Sequence, residues 1–330
     1  MTSLRWRPHA RWRWVLGAAV LVAVAWRTGS APFVTGVRSL DGWTLALGAG
    51  LAGLTTLACA WRWHLVARGL GVAIRMRPAV AFCYRAQFLN TVLPGGVLGD
   101  VHRGVLHGRD AGDTGRALRA VAWERSAGQV VHVVLATVVL LLFSSPVRPV
   151  MPAAVGLVAA VVLAGTLLAR RPWQVRSAWA GRVLRAVRDD LRSGLLVRRS
   201  WPGVVLTSAA AVVGHLATYL IAARAVGVTS PLTTLIPLAV LVLVAAGLPL
   251  GLAGWGPREG MAAWSFAAAG LGAAQGVATA VAYGAMVLVA NLPGAVVLLA
   301  TSQRVGGGRS VEPPSSPRRT GLTAEGGSRA

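Results

Sequence analysis

Lysine is missing from the chain: all 33 basic residues among its 330 are arginine. Without a lysine amine there is neither a Walker A phosphate loop nor Schiff-base chemistry. Cysteine is almost as scarce. Cys59 and Cys83 lie in or beside apolar segments, form no CxxC pair and read as packing residues. Only ten residues are acidic, and charged residues make up 13% of the chain against 55% hydrophobic. A soluble domain carries roughly a quarter charged residues, so this chain is not built to face water on all sides. Enzyme signatures are missing too: HExxH, G-x-S-x-G and the spaced aspartate pair of membrane prenyl- or phospho-alcohol transferases. Of the histidines, His102 and His107 sit in an apparent wet stretch running to Arg119, while His132 and His215 stand alone in apolar helices. No metal, cofactor or covalent catalysis is expected.

What is present is apolar sequence in long runs. Six segments, at about 14–34, 40–61, 120–144, 150–169, 202–226 and 275–301, approach or exceed the ~20 residues a helix needs to cross a ~30 Å hydrocarbon layer. The fold class is therefore an all-α polytopic membrane protein. Its net charge of +23 falls in the gaps. Arginine crowds the N-terminus, Arg62 to Arg119, Arg170 to Arg199 and the tail from Arg304, whereas 35–39, 145–149 and 227–230 are arginine-poor. That alternation follows the positive-inside rule, puts both termini in the cytoplasm and points to anionic lipid rather than nucleic acid. Arginine and tryptophan in the first 14 residues anchor a retained first helix instead of a cleaved signal. Trp173 to Arg199 reads as an amphipathic helix on the inner face, with Asp189 and Asp190 balancing its arginines. Residues 1–302 form one membrane domain, and the Gly-, Ser-, Pro- and Arg-rich 303–330 a disordered tail.

Two more apolar segments, 78–98 and 231–272, are broken. Leu93-Pro94-x-Gly96-x-x-Gly99-x-x-x-Arg103 in the first matches Leu248-Pro249-x-Gly251-x-x-Gly254-x-x-x-Arg258 in the second, position for position. Proline and glycine free backbone groups that lipid cannot satisfy, so such breaks survive only where protein or a wet cavity surrounds them. Whether these segments are re-entrant or fully spanning stays open. Each break follows two long segments and precedes one, which suggests halves 14–144 and 150–301 of opposite orientation. Paired broken helices in inverted repeats build the binding sites of many secondary transporters.

Charged residues at the breaks are the candidate site. A charge deep in a bilayer costs about 2.5–3.5 kcal/mol or more and calls for a partner or a task. Arg258 and Glu259 follow Gly256 and Pro257 at the start of the resumed helix, where free N–H groups favour an anion. Neighbours on a helix point about 100° apart, so these two need not pair with each other. A phosphate-headgroup contact and an ion pair pinning a tight loop both fit Arg258. Asp100 and Arg103, with Asn90 just before them, repeat the theme in the first break, where Arg103 also fits a plain positive-inside residue. Glu124, opening the third long helix, is a candidate counter-charge for Arg103.

Three patches resemble one family. They are Asn90 to Gly96 continuing through Gly99-Asp100-Val101-His102-Arg103, then Glu124-Arg125, then Gly254-Trp255-Gly256-Pro257-Arg258-Glu259-Gly260. Their order and spacing over residues 14–302 resemble the flippase-like transmembrane region of lysylphosphatidylglycerol synthases and its stand-alone relatives. The resemblance implies a plasma-membrane protein that moves an aminoacyl-phospholipid, another anionic phospholipid or a polyprenyl-linked lipid. The alternative is a non-transporting partner that presents lipid to a glycosyl- or acyltransferase. Two features depart from the family. Ser126-Ala127-Gly128-Gln129 follows Arg125 where an acidic residue is common, and only about 28 polar residues follow residue 302, so lysine transfer is not expected.

Overall fold

The structure, a computed structural model, describes residues 11–93, 96–148, 151–170, 185–192, 200–248 and 255–306. Every regular element among them is a helix: α1 (Arg11–Thr28), α2 (Ala31–Arg38), α3 (Gly42–Gly69), α4 (Met76–Val92), α5 (Leu98–Ala111), α6 (Thr114–Leu142), α7 (Met151–Arg170), α8 (Trp201–Ala225), α9 (Leu232–Ala246), α10 (Pro257–Ala268) and α11 (Ala273–Gly306). Four are long and apolar enough to cross a membrane: Gly42–Gly69, Thr114–Leu142, Trp201–Ala225 and Ala273–Ala300. The expected straight span at 14–34 is instead two helices meeting at 94°, which count as a fifth span if taken together. Gly29, at φ +74°, permits that bend, because a side chain resists the left-handed region. α7 covers the fourth expected segment, 150–169, with 20 residues. The tail expected from 303 begins as the end of α11, and residues 307–330 lie outside the described residues. Of the expected amphipathic helix, only 185–192 is described. There Asp190 accepts hydrogen bonds from Arg119 Nε at 2.8 Å and Trp123 Nε1 at 3.0 Å.

Exposed tryptophans mark the layer. On α3, Trp43 is 72% and Trp61 46% exposed. They stand about 27 Å apart along the helix axis, close to the hydrocarbon thickness and so to the spacing of anchors at two interfaces. Asp41 caps this helix at one end by accepting from the Thr44 N–H at 2.7 Å. Arg62, beside Trp61, lies near the opposite interface.

The stretch from His102 to Arg119, expected to be wet, is exposed around 109–116 as expected but is corrected before that, where Arg103 and His107 are buried. Residues 98–111 form α5, which buries Asp100, Arg103 and His107. Glycines explain the difference. A Cβ on Gly99 would run into the Ala86 backbone, one on Gly104 into Leu118, and one on Gly108 into Thr114. A low-hydropathy helix can therefore approach α4 and α6 at backbone distance. Gly99 lies on Ala86 while Arg103 reaches Cys83, so α5 folds back antiparallel on α4 as a hairpin. Gly99→Val is expected to cost about 1–3 kcal/mol through overpacking. Gly50→Val, with open space around it, should change little. Thermal midpoints of the detergent-purified variants check the contrast.

The second broken segment gives α9 and α10, which also pack together. α9 is apolar all round and buries Leu235, Leu238, Ala239 and Val242 in a core with Tyr219, Phe266 and Met286. Its 15 residues rise only about 22 Å, short of a crossing. α3 and α8 form the spine and run antiparallel: Gly203 lies on Leu65, Ser208 on Arg62 and Gly214 on Thr55.

Candidate functional site

Glu124 is the hub of a buried charge cluster near the first break. Its Oε1 accepts from Arg62 Nε at 2.8 Å and from Arg62 Nη2, and its Oε2 from Arg103 Nη2 at 2.5 Å. Arg103 donates from all three of its nitrogens. Its Nε donates to Asp100 Oδ1 at 3.0 Å, its Nη1 to Cys83 Sγ at 3.4 Å, and its guanidinium lies 4.7 Å over the Trp63 ring. Asp100 is shared further, because Oδ2 accepts from Asn90 Nδ2 at 2.8 Å and pairs with Arg125 Nη2 at 3.2 Å. Asn90 completes a latch on the hairpin, its Oδ1 accepting the Gly99 N–H at 2.8 Å. The structure thus gathers Asn90, Asp100, Arg103 and Glu124 into one network. Isolated charges cannot be buried cheaply, whereas each carboxylate here faces two guanidiniums.

The second break is self-contained. Arg258 Nε and Nη2 donate to Glu259 Oε1 at 2.9 and 2.5 Å, so the neighbours that need not pair do so. The pairing follows from Glu259 turning back to cap its helix, with Oε2 accepting the Gly256 N–H at 2.7 Å. Arg258 then lies over the rings of Trp255 and Tyr283, at 5.0 and 5.5 Å, and against Gly284. Gly256 takes φ +117°, a conformation that favours glycine, and Gly96 takes φ +60°. Pro94, Pro249, Gly251 and Gly254 lie outside the described residues.

Between these clusters is a cavity of about 480 Å³. Both breaks reach it, through Gly96 and Val97 on one side and Gly247 and Leu248 on the other. Its polar wall is one face of α6, Arg125, Gln129 and His132, spaced so that all three project the same way. Opposite stand Arg62 from α3, Ser208 and His215 from α8, and Tyr283 from α11. The arginines divide by exposure: 5% for the Arg103 side chain, 7% for Arg62 and 7% for Arg258, against 51% for Arg125. Arg103 and Arg258 are enclosed by carboxylates and rings, whereas Arg125, though paired with Asp100, is half exposed and lines the cavity.

Sequence reasoning did not place Arg62, Arg125, Gln129, His132, Ser208, His215 or Tyr283 at the site. Arg62 reads as the first residue of an arginine-rich gap, yet α3 continues to Gly69 and carries it inside the bundle. The apolar Leu65-Val66-Ala67 after it was the available signal. Gln129 and Ser208 carry no signal of their own. His215 seemed solitary, but Tyr283 lies 3.1 Å from its Nδ1 across the helix pair.

A chain of this helical composition with charges buried at two breaks is a multi-pass membrane protein, and similarity agrees. No curated protein and no solved structure matches it. Residues 13–294 match the family described as the lysylphosphatidylglycerol synthase TM region, and the chain belongs to that family.

Proposed function

We propose that the chain carries a polar-headed lipid between leaflets, its headgroup passing through the central cavity while the acyl tails stay in the bilayer. The carrying observation is the cavity itself, polar-walled and met by both breaks. Its volume falls within the ~300–1,000 Å³ of small-molecule sites, enough for a headgroup and too little for a whole lipid. Arg62 lies near one interface, and the α6 stripe from Arg125 to His132 leads about 10 Å deeper. A headgroup thus enters from the arginine-rich side, which the positive-inside rule makes cytoplasmic.

The same reading takes the two halves as an inverted repeat with re-entrant hairpins. The shift that lays Leu93 on Leu248 lays α3 on α8, α4 on α9, α5 on α10 and α6 on α11. Packing supports the correspondence. α4 packs on α11 as α9 does on α6, α5 on α6 as α10 does on α11, and α3 on α11 as α8 does on α6. Because the paired α3 and α8 run antiparallel, the relating axis lies across them, in the plane of the membrane. Rocking of the halves about this axis would expose the cavity to either side.

Purified protein in liposomes is expected to accelerate bleaching of inner-leaflet fluorescent phospholipid by an external quencher. Arg125→Ala should slow that rate roughly tenfold, the worth of one charge-assisted contact to a headgroup. Rates no faster than in protein-free liposomes defeat the transport reading. Such rates, together with co-purification of a transferase, favour the lipid-presenting alternative.

A further inference from the structure

The cavity carries one positive charge more than its surroundings neutralise. Arg62, Arg103 and Arg125 face Glu124 and Asp100, while Arg258 and Glu259 cancel behind Tyr283. No other arginine or acidic side chain stands among the described lining residues, which otherwise offer Gln129, Ser208, Tyr283, His132 and His215. The surplus falls on Arg125. Among the described residues its one carboxylate contact is the 3.2 Å approach to Asp100, whose oxygens already serve Asn90 and Arg103. Neither carboxylate lines the cavity. An ammonium arriving there meets no acidic partner, and an anion meets a half-exposed guanidinium fork. Two helical turns further, His132 Nε2 is buried without a hydrogen-bond partner.

We propose, resting on the reading of the cavity as a headgroup path, that it selects a monoanionic phosphodiester bearing neutral hydroxyl groups and rejects a net-cationic aminoacyl headgroup. The two non-bridging phosphate oxygens match the Arg125 fork, which is the bidentate geometry guanidinium favours. One negative charge balances the surplus without leaving a buried charge over. The hydroxyls meet the Gln129 side chain, about 6 Å along α6 from Arg125. Chemistry therefore sorts phosphatidylglycerol from its lysyl ester, since esterification with lysine turns the headgroup from anion to cation.

The test is binding to the full chain in neutral detergent, using dioctanoyl phosphatidylglycerol, its lysyl ester, dioctanoyl phosphatidylcholine and water-soluble glycerol phosphate. Phosphatidylglycerol is expected to bind at least about tenfold tighter than the lysyl ester, the scale of one charge-assisted contact. Arg125→Gln should erase the preference and Arg125→Lys should keep much of it. A lysyl ester bound equally or more tightly overturns the proposal, as does an undiminished preference in a folded Arg125→Gln protein. Glycerol phosphate binding as tightly as the lipid overturns the lipid assignment. Failure here is separable from failure of transport: selectivity without lipid translocation in liposomes sinks only the transport reading, and translocation with the opposite selectivity sinks only this one.

Discussion

Glu124→Ala is expected to destabilise the protein by about 3–5 kcal/mol, the cost of breaking a buried ion pair by removing one partner. Glu124 is 1% exposed and both its oxygens are occupied, by Arg62 and by Arg103. Alanine strands two guanidiniums that cannot shed their protons, because arginine stays charged in proteins. Arg103 keeps Asp100, but Arg62 keeps only Ser208 and Cys59, neither of them an anion. Removing Arg62 as well, in Arg62→Leu with Glu124→Ala, should therefore recover part of the loss and make the pair non-additive. Thermal midpoints in detergent, with the folded fraction read by size-exclusion chromatography, measure both. A Glu124→Ala midpoint equal to that of the wild type would show that the cluster does not hold α3, α5 and α6 together.

The second large effect belongs to Glu259, which is wholly buried. Glu259→Ala removes the acceptor of the Gly256 N–H and the carboxylate partner of Arg258 in one step. A loss of about 3–5 kcal/mol follows from the stranded guanidinium alone. Arg258→Ala should be milder. The carboxyl left behind still accepts from Gly256, and unlike a guanidinium it can take a proton and become neutral. The order of the two variants, read from their thermal midpoints, is the sharp result. If Arg258→Ala proved the more damaging, stacking on Trp255 and Tyr283 would outweigh the ion pair.

Both expectations concern residues that are visible in the sequence, because charge is rare there and rarity inside apolar surroundings is informative. Asp100, Arg103, Glu124, Arg258 and Glu259 stand out for that reason alone. Their pairing is another matter. Arg62 and Glu124 are far apart in the chain and meet only because α3 extends past Trp61 and lies against α6. α5 was hidden because its burial rests on Gly99, Gly104 and Gly108, which lower hydropathy while permitting close contact. The stripe Arg125, Gln129 and His132 has helical spacing, but spacing does not say whether a polar face meets lipid, protein or a cavity.

Composition and the length of apolar runs by themselves determined a helical membrane protein broken at two similar places, since a hydrocarbon layer admits few other solutions for such a chain. Which arginine is neutralised and which is left facing a cavity was decided only by tertiary structure. Ion pairing depends on distances of a few ångströms between helices remote in the chain, and no local pattern encodes them.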